Sequence, residues 1–192
     1  RCQPASRGWF VEGEGASEPK KCGSGTYTDA EGQSSCLDAQ AGYYVASDGA
    51  SEEKKCPEGE TSDPAADACR TCPDGSFASA AGSSSCILAK AGHYVKNSDR
   101  TREVKCPVGH YAPGPGTADE CLECAAGTFA ATEGTVTCDA AKKGYHVPAS
   151  GAIEDIRCEA GTYTNTEGQS SCLDARPGYY VSDVGTSPCR SH

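Results

Sequence analysis

The chain has 192 residues, of which only 36% are hydrophobic, and it contains three Phe, one Trp and no Met. So few large apolar side chains exclude a conventional apolar core, because their burial cannot offset the ordering entropy of so long a chain. The net charge of −10 argues against nucleic acid as a partner, since phosphate binding requires clustered Lys and Arg. No apolar run approaches the roughly 20 residues of a bilayer crossing, so we predict no membrane span in this segment.

Fourteen cysteines predict that disulfides stabilise the chain in place of such a core. Each closed loop of about 15 residues contributes on the order of 3 kcal/mol in the chain-entropy model. Disulfides persist in oxidising compartments, so we expect an extracellular or cell-surface location.

The cysteine spacing divides the chain into two alternating cassettes. The first is a short loop of the form CxxG(T/S)(Y/F)xxxxGxxxC, which begins as CGSGTYTDAEGQSSC at Cys22. Whole or variant copies run from Cys22 to Cys36, Cys56 to Cys69, Cys72 to Cys86, Cys106 to Cys121, Cys124 to Cys138 and Cys158 to Cys172. The repetition predicts a modular array in which each module contacts mainly its sequence neighbours.

The second cassette is a step of about twenty residues between these loops that carries a glycine, an aromatic pair and a valine. Such pairs are typical of short strands, in which successive side chains point to opposite faces. We therefore expect one ring to pack on the adjacent disulfide and the other on the neighbouring repeat. The five pairs are Trp9 and Phe10, Tyr43 and Tyr44, His93 and Tyr94, Tyr145 and His146, and Tyr179 and Tyr180.

Together the cassettes form units of about fifty residues, with predicted divisions at 1–56, 56–106, 106–158 and 158–192. The last segment duplicates 22–56, because a shift of 136 positions aligns GTYTDAEGQSSCLDAQAGYYV with GTYTNTEGQSSCLDARPGYYV. Frequent Gly, Ser, Asp and Pro interrupt any helical periodicity. The predicted fold is a small disulfide-rich repeat protein, an elongated array of short β-hairpin and loop modules with little helix.

The short cassette, with Gly two residues before Tyr or Phe and a closing Cys, resembles the ephrin-receptor-like cysteine-rich repeats of protist and algal surface proteins. It is more loosely similar to tumour-necrosis-factor-receptor modules and to ciliate surface antigens. The resemblance implies architecture rather than activity, and it implies that the two cysteines bounding each loop are bonded: Cys22 with Cys36, Cys56 with Cys69, Cys72 with Cys86, Cys106 with Cys121, Cys124 with Cys138, and Cys158 with Cys172.

That pairing leaves Cys2 and Cys189 without partners in the same scheme. If the chain is part of a longer array, they bond to cysteines beyond its ends. If it is a complete subunit, Cys189 of one copy bonds to Cys2 of the next, and such head-to-tail contacts build filaments.

Two CxxC pairs, at Cys69/Cys72 and Cys121/Cys124, suit zinc binding or thiol exchange by their local spacing. The pairs lie 52 positions apart, whereas a four-cysteine zinc site has about 15 to 20 residues between its pairs. Each of these cysteines also bounds a short cassette. A structural role is therefore favoured, and we predict no metal and no cofactor.

The histidines and acidic residues do not suggest an active site. His93 and His146 occupy aromatic positions, and no pair of histidines has a ligand spacing. Glu53 and Asp155 precede basic residues, which favours local ion pairs on a solvated face. The sequence contains no HExxH, GxSxG or P-loop motif, so we predict that the chain is not an enzyme.

The predicted function is that of an extracellular structural repeat protein that forms or decorates a filament, appendage or cell-surface coat. Its expected partners are further copies in a homopolymer or other matrix and coat proteins, with O-glycans on exposed Ser and Thr. The alternative is a ligand-binding or stalk ectodomain of a cell-surface receptor, for which His110 and Tyr111 in the divergent Cys106 to Cys121 loop are the first residues to mutate.

Overall fold

The computed structural model of the chain describes residues 2–181. Within that range it consists of turns and very short strands without any helix. The strands in chain order are β1 Trp9–Phe10, β2 Lys20–Lys21, β3 Thr26–Tyr27, β4 Leu37–Asp38, β5 Tyr43–Tyr44, β6 Lys54–Lys55, β7 Glu60–Thr61, β8 Arg70–Thr71, β9 Ser76–Phe77, β10 Ile87–Leu88, β11 His93–Val95, β12 Val104–Lys105, β13 His110–Tyr111, β14 Thr117–Ala118, β15 Leu122–Glu123, β16 Thr128–Phe129, β17 Asp139–Ala140, β18 Tyr145–His146, β19 Ile156–Arg157, β20 Thr162–Tyr163 and β21 Leu173–Asp174.

All of these strands except β14 form ten antiparallel hairpins, which we number 1 to 10 in chain order. In hairpin 1, Trp9 pairs with Lys21 and Phe10 pairs with Lys20, and every later hairpin has the same two-residue register. Strand β14 adds a parallel pairing to β11. The predicted fold class, a small disulfide-rich protein of repeated hairpins with little helix, is confirmed for the described residues.

A glycine with φ between 71° and 89° stands directly before each first strand. Only glycine adopts this left-handed conformation at low cost, so these positions explain why the chain can turn sharply into each strand. Consecutive glycines are 16 to 18 residues apart: Gly8, Gly25, Gly42, Gly59, Gly75, Gly92, Gly109, Gly127, Gly144 and Gly161. Both sequence cassettes therefore form the same hairpin, and the structural repeat is about one third of the fifty-residue unit.

Within each unit, hairpins are hydrogen-bonded to the next hairpin and to the next but one. The Gly8 amide donates to the carbonyl of Thr28 in hairpin 2 at 3.0 Å, and the Gly49 amide in hairpin 3 donates to the carbonyl of Cys22 at 2.7 Å. The same two bonds recur along the chain, for example from Gly92 to Ala112 and from Gly134 to Cys106. Backbone groups that two-residue strands cannot satisfy are thus satisfied between hairpins.

The chain forms two compact units, each built from such hairpins. Unit 1 comprises Arg1–Leu88 with Asn97–Glu103, and unit 2 comprises Ala89–Lys96 with the chain from Val104 onward. Hairpins 1 to 5 lie in unit 1, and the strands of hairpins 6 to 10 lie in unit 2.

Apart from Phe129, which is 9% exposed, the buried positions of both units hold small side chains. One set follows the first strands of the hairpins; in hairpin 6 the equivalent residue, Val95, is the last residue of β11. The members that are at most 3% exposed are Thr28, Val45, Ser62, Ala78, Val95, Ala112, Ala130, Val147 and Thr164. The second set follows the second strands and is made of Cys and Ala. Cores this small bury little apolar surface, which agrees with the scarcity of large hydrophobic residues.

Candidate functional site: the hairpin junctions

The disulfides lie at the junctions between successive hairpins. We call the residue after a second strand the exit residue and the residue before a second strand the entry residue. The exit residue Cys22 of hairpin 1 bonds to the entry residue Cys36 of hairpin 2, with Cα atoms 5.8 Å apart. The other five bonds follow the same rule: Cys56–Cys69, Cys72–Cys86, Cys106–Cys121, Cys124–Cys138 and Cys158–Cys172.

These six pairs are the ones that the family resemblance implies, but each joins two hairpins instead of closing one module. The exit cysteines are at most 1% exposed. Five entry cysteines are partly exposed and Cys121 is 7% exposed, so a reductant reaches most of these bonds from the entry side.

The CxxC pairs have a simple geometric origin at these junctions. Cys69 and Cys72 are the entry and exit residues of hairpin 4, and they flank the two residues of β8. Cys69 bonds back to hairpin 3, whereas Cys72 bonds forward to hairpin 5. The two sulfurs of a CxxC pair therefore belong to different disulfides and do not form a thiol-exchange pair.

The first residue of an aromatic pair faces a basic residue across its hairpin. Trp9 pairs with Lys21, whose Nζ lies 5.2 Å from the ring centroid. The stem of Lys21 also lies over Gly49 of hairpin 3, where an added Cβ would be 3.5 Å from the lysine Cδ. The aromatic residue thus orients a lysine stem that covers the backbone of the next hairpin but one.

In two of the aromatic pairs the second residue lies against a disulfide. Tyr94 packs on Cys106 and Cys121, and the Nδ1 atom of His146 is 3.1 Å from the Sγ atom of Cys172. Tyr179 and Tyr180 lie beyond the last described strand and are 45% and 58% exposed.

His146, Cys158 and Cys172 are the one group of three metal-type donors that the described residues bring together, with donor atoms within 4.8 Å. Both sulfurs belong to a single disulfide, so neither is the thiolate that zinc binds. The group therefore follows from the position of His146 over the disulfide.

Glu53 and Asp155 are junction residues whose role the sequence patterns did not reveal. At the junction of hairpins 2 and 3 the exit residue is Ala39 and the entry residue is Glu53, which accepts a bond from the Gln40 amide at 2.7 Å. At the junction of hairpins 8 and 9 the same places hold Ala141 and Asp155. Asp155 accepts a bond from the amide after Ala141 at 3.1 Å.

A carboxylate thus spans the gap that a disulfide spans elsewhere. Desolvation by burial raises the pKa of Tyr27 above its ordinary 10.0, and the nearby Glu53 and Asp29 carboxylates add to this effect. The spacing between the opening glycines is the sequence signal that would have identified the two acids as entry residues.

Arg100 makes a second kind of junction contact, within unit 1. Its guanidinium donates to the carbonyl of Cys72 and, at 2.8 Å, to the carboxylate of Asp74. Its own carbonyl accepts a bond from the Ala78 amide at 3.0 Å. The Arg100 side chain is only 19% exposed, so its bonds are partly shielded from water.

Cys2 forms no disulfide within residues 2–181 and is exposed, whereas Cys189 lies outside the described residues. Beside Cys2 is a groove of about 540 Å³, lined in part by Pro4, Val11 and Pro19. Val11 is partly exposed there, while the equivalent valines Val45, Val95 and Val147 are at most 2% exposed. This end of unit 1 therefore presents a surface that is covered in other hairpins.

None of the residues from 2 to 181 belongs to a helix long and apolar enough to cross a bilayer. No family model matches this sequence, and no curated protein is significantly similar to it. The ephrin-receptor-like assignment therefore stays a prediction based on the cassette motif.

Proposed function

We propose that this chain is an extracellular, non-catalytic structural protein whose hairpins form part of a filament, appendage or cell-surface coat. The supporting observation is that one junction is repeated between successive hairpins and is closed covalently six times. Bonds of this density form in oxidising compartments, and they limit local opening in a protein that meets proteases or mechanical load.

We further propose that copies join head to tail through Cys2 and Cys189. Cys2 precedes Gly8 by six residues, as the entry residue Cys36 precedes Gly42. Cys189 is the first cysteine after Gly178, as the exit cysteines Cys22, Cys56, Cys106 and Cys158 are after their opening glycines, although it follows by 11 residues and they follow by 14. A bond from Cys189 to Cys2 of the next copy would therefore repeat the exit-to-entry polarity of the internal disulfides.

The groove beside Cys2 supports the same assembly. Val11 lies in it and is incompletely covered, and a further hairpin would bury this side chain as Val45 is buried in hairpin 3. Burial of apolar surface would add to the covalent bond. Other coat proteins and O-glycans stay predictions as additional partners.

The test uses the oxidised chain at several concentrations, examined by electron microscopy, light scattering and non-reducing electrophoresis. We expect filaments and a ladder of covalent oligomers. Cys2→Ser and Cys189→Ser should each abolish the ladder while the six internal bonds persist. A concentration-independent monomer, or a peptide map with a Cys2–Cys189 bond within one chain, would contradict head-to-tail assembly.

A receptor ectodomain is the second candidate, favoured by one exposed patch in hairpin 7. Tyr111 pairs with Leu122, which is 53% exposed, and Val108 nearby is 41% exposed. His110 lies at the same edge, with Nε2 3.9 Å from the Glu123 carboxylate. A double substitution of His110 and Tyr111 to Ala would abolish binding to a surface partner if this patch is the ligand site, and unchanged capture would exclude the patch.

A further inference from the structure

Two junctions, that of hairpins 2 and 3 and that of hairpins 8 and 9, have other side chains at the positions where the disulfide-bonded junctions have cysteines. We call a disulfide that joins two hairpins a staple. Where the six disulfide-bonded junctions have an exit cysteine and an entry cysteine, these two have Ala39 with Glu53 and Ala141 with Asp155. Each pair is separated by 14 residues, which is also the separation of Cys22 and Cys36. The backbone therefore provides the same site, and only the side chains that fill it change.

In place of the disulfide, each of these two junctions has one charge-assisted hydrogen bond to its entry residue. Glu53 accepts it from the Gln40 amide at 2.7 Å, and Asp155 accepts it from the Lys142 amide at 3.1 Å. Backbone bonds also cross both junctions, and at the first one the Ser24 amide donates to Asp48 at 2.9 Å. Such hydrogen bonds break and re-form by thermal motion, whereas a disulfide separates only after reduction. The two links therefore differ in whether they open reversibly under oxidising conditions.

The positions of the staples divide each unit into covalent blocks. In unit 1, hairpins 1 and 2 form one block and hairpins 3 to 5 form another. In unit 2, hairpins 6 to 8 form one block and hairpins 9 and 10 form another. Within each unit, the carboxylate junction is the one place where adjacent described hairpins lack a disulfide.

We infer that the Glu53 and Asp155 junctions are reversible joints, at which the covalent blocks within each unit separate first when that unit is strained. Opening the first joint exposes few large apolar side chains, because the buried residues there are Thr28, Ala39 and Val45. The first joint can therefore close again without a hydrophobic surface becoming trapped in other contacts. At the second joint Phe129 is buried against Ala141 and Val147, so its opening exposes one large apolar side chain. The role of the joints in a strained filament rests on the proposed function. Their lower local stability relative to the disulfide-bonded junctions does not.

Native-state hydrogen exchange on the oxidised chain tests this inference with matched amides. The Gly25 amide donates across the first joint to Val45, whereas the Gly42 amide donates across the stapled junction of hairpins 3 and 4 to Ser62. In unit 2 the matched amides are those of Gly127, across the joint, and Gly109, across a staple. We expect protection factors at least tenfold lower for Gly25 and Gly127 than for Gly42 and Gly109.

Two variants assign the difference to the junction chemistry. The double substitution Ala39→Cys and Glu53→Cys should form a seventh internal bond and raise Gly25 protection at least tenfold, with Gly127 unchanged as the internal control. Glu53→Ala should lower the protection of the Gly25 amide and leave that of Gly127 unchanged. This variant tests the inference by itself if the double cysteine variant misfolds. Equal protection at joints and staples, or no response of Gly25 to the new bond, would overturn the inference.

A separate measurement tests the mechanical role of the joints. Pulling on one tethered chain should give low-force extension steps from joint opening, and the double cysteine variant should lack the step of the first joint. Identical force traces for both chains would remove the mechanical role. Since both measurements use single chains, a failure of filament assembly would contradict the proposed function and leave the joints in place.

Discussion

Replacing Gly25 by Ala should destabilise unit 1 far more than the same change at Gly32 in the same hairpin. Both glycines have positive φ, 81° and 72°, so each alanine incurs about 1–2 kcal/mol of backbone strain. The added Cβ at Gly25 would lie only 2.2 Å from the backbone oxygen of Ala65, whereas at Gly32 it meets Pro4 Cβ at an ordinary 3.6 Å.

Relief of the Gly25 contact requires hairpin 4 to move by about an ångström. This movement would break the bond from the Ala65 amide to the Ala39 carbonyl, which is 2.7 Å long. A lost backbone bond adds about 1 kcal/mol, so we expect a total of about 3 kcal/mol or more for Gly25→Ala and about 1–2 kcal/mol for Gly32→Ala.

Guanidinium unfolding of the oxidised variants, followed by the fluorescence of Trp9, measures the difference in unit 1. Hairpin 1 carries Trp9, so the probe reports on the unit in which both substitutions lie. If Gly25→Ala and Gly32→Ala reduce the free energy of unfolding equally, the close approach of alternate hairpins is wrong.

Three further predictions concern unit 1. In an NMR pH titration the phenol of Tyr27 should have a pKa above its ordinary 10.0, and Glu53→Gln should lower that pKa toward 10.0. Because the fold favours the neutral phenol, the free energy of unfolding should fall as the pH rises beyond 10. An unchanged Tyr27 pKa in Glu53→Gln would contradict the placement of Glu53. Arg100→Ala should reduce the free energy of unfolding by about 1–3 kcal/mol because the Cys72 carbonyl loses a donor, and a cost within experimental error would show that the contact contributes nothing. Thr28→Val should cost about 1 kcal/mol or less, because valine fills this buried position elsewhere; a loss of several kcal/mol in chemical unfolding would refute the equivalence of hairpins.

Much of the fold follows from local sequence patterns, because its strands are short and its disulfides lie close in sequence. Glycine followed by an aromatic pair marked the first strands of hairpins 1, 3, 6 and 9. The motif of the short cassette marked the cysteines that bound each staple. These signals lie within about twenty residues, so they do not depend on distant packing.

The sequence patterns did not reveal the single-hairpin repeat, because equivalent positions in successive hairpins hold different types of residue. Cys22 and Ala39 are both buried exit residues, yet one forms a disulfide and the other cannot. Glu53 stands beside Lys54 in sequence, which favours a local ion pair, but its carboxylate bonds to the Gln40 amide 13 residues earlier. Such a bond depends on how two hairpins stack, and no short-range pattern specifies it.

The most direct test is a non-reducing peptide map of the natively folded, purified chain by mass spectrometry. We expect exit-to-entry bonds, Cys22 with Cys36 and the five equivalent pairs, with no bond inside either CxxC pair. Free thiols at these twelve positions in the folded chain, or a Cys69–Cys72 bond, would contradict this prediction.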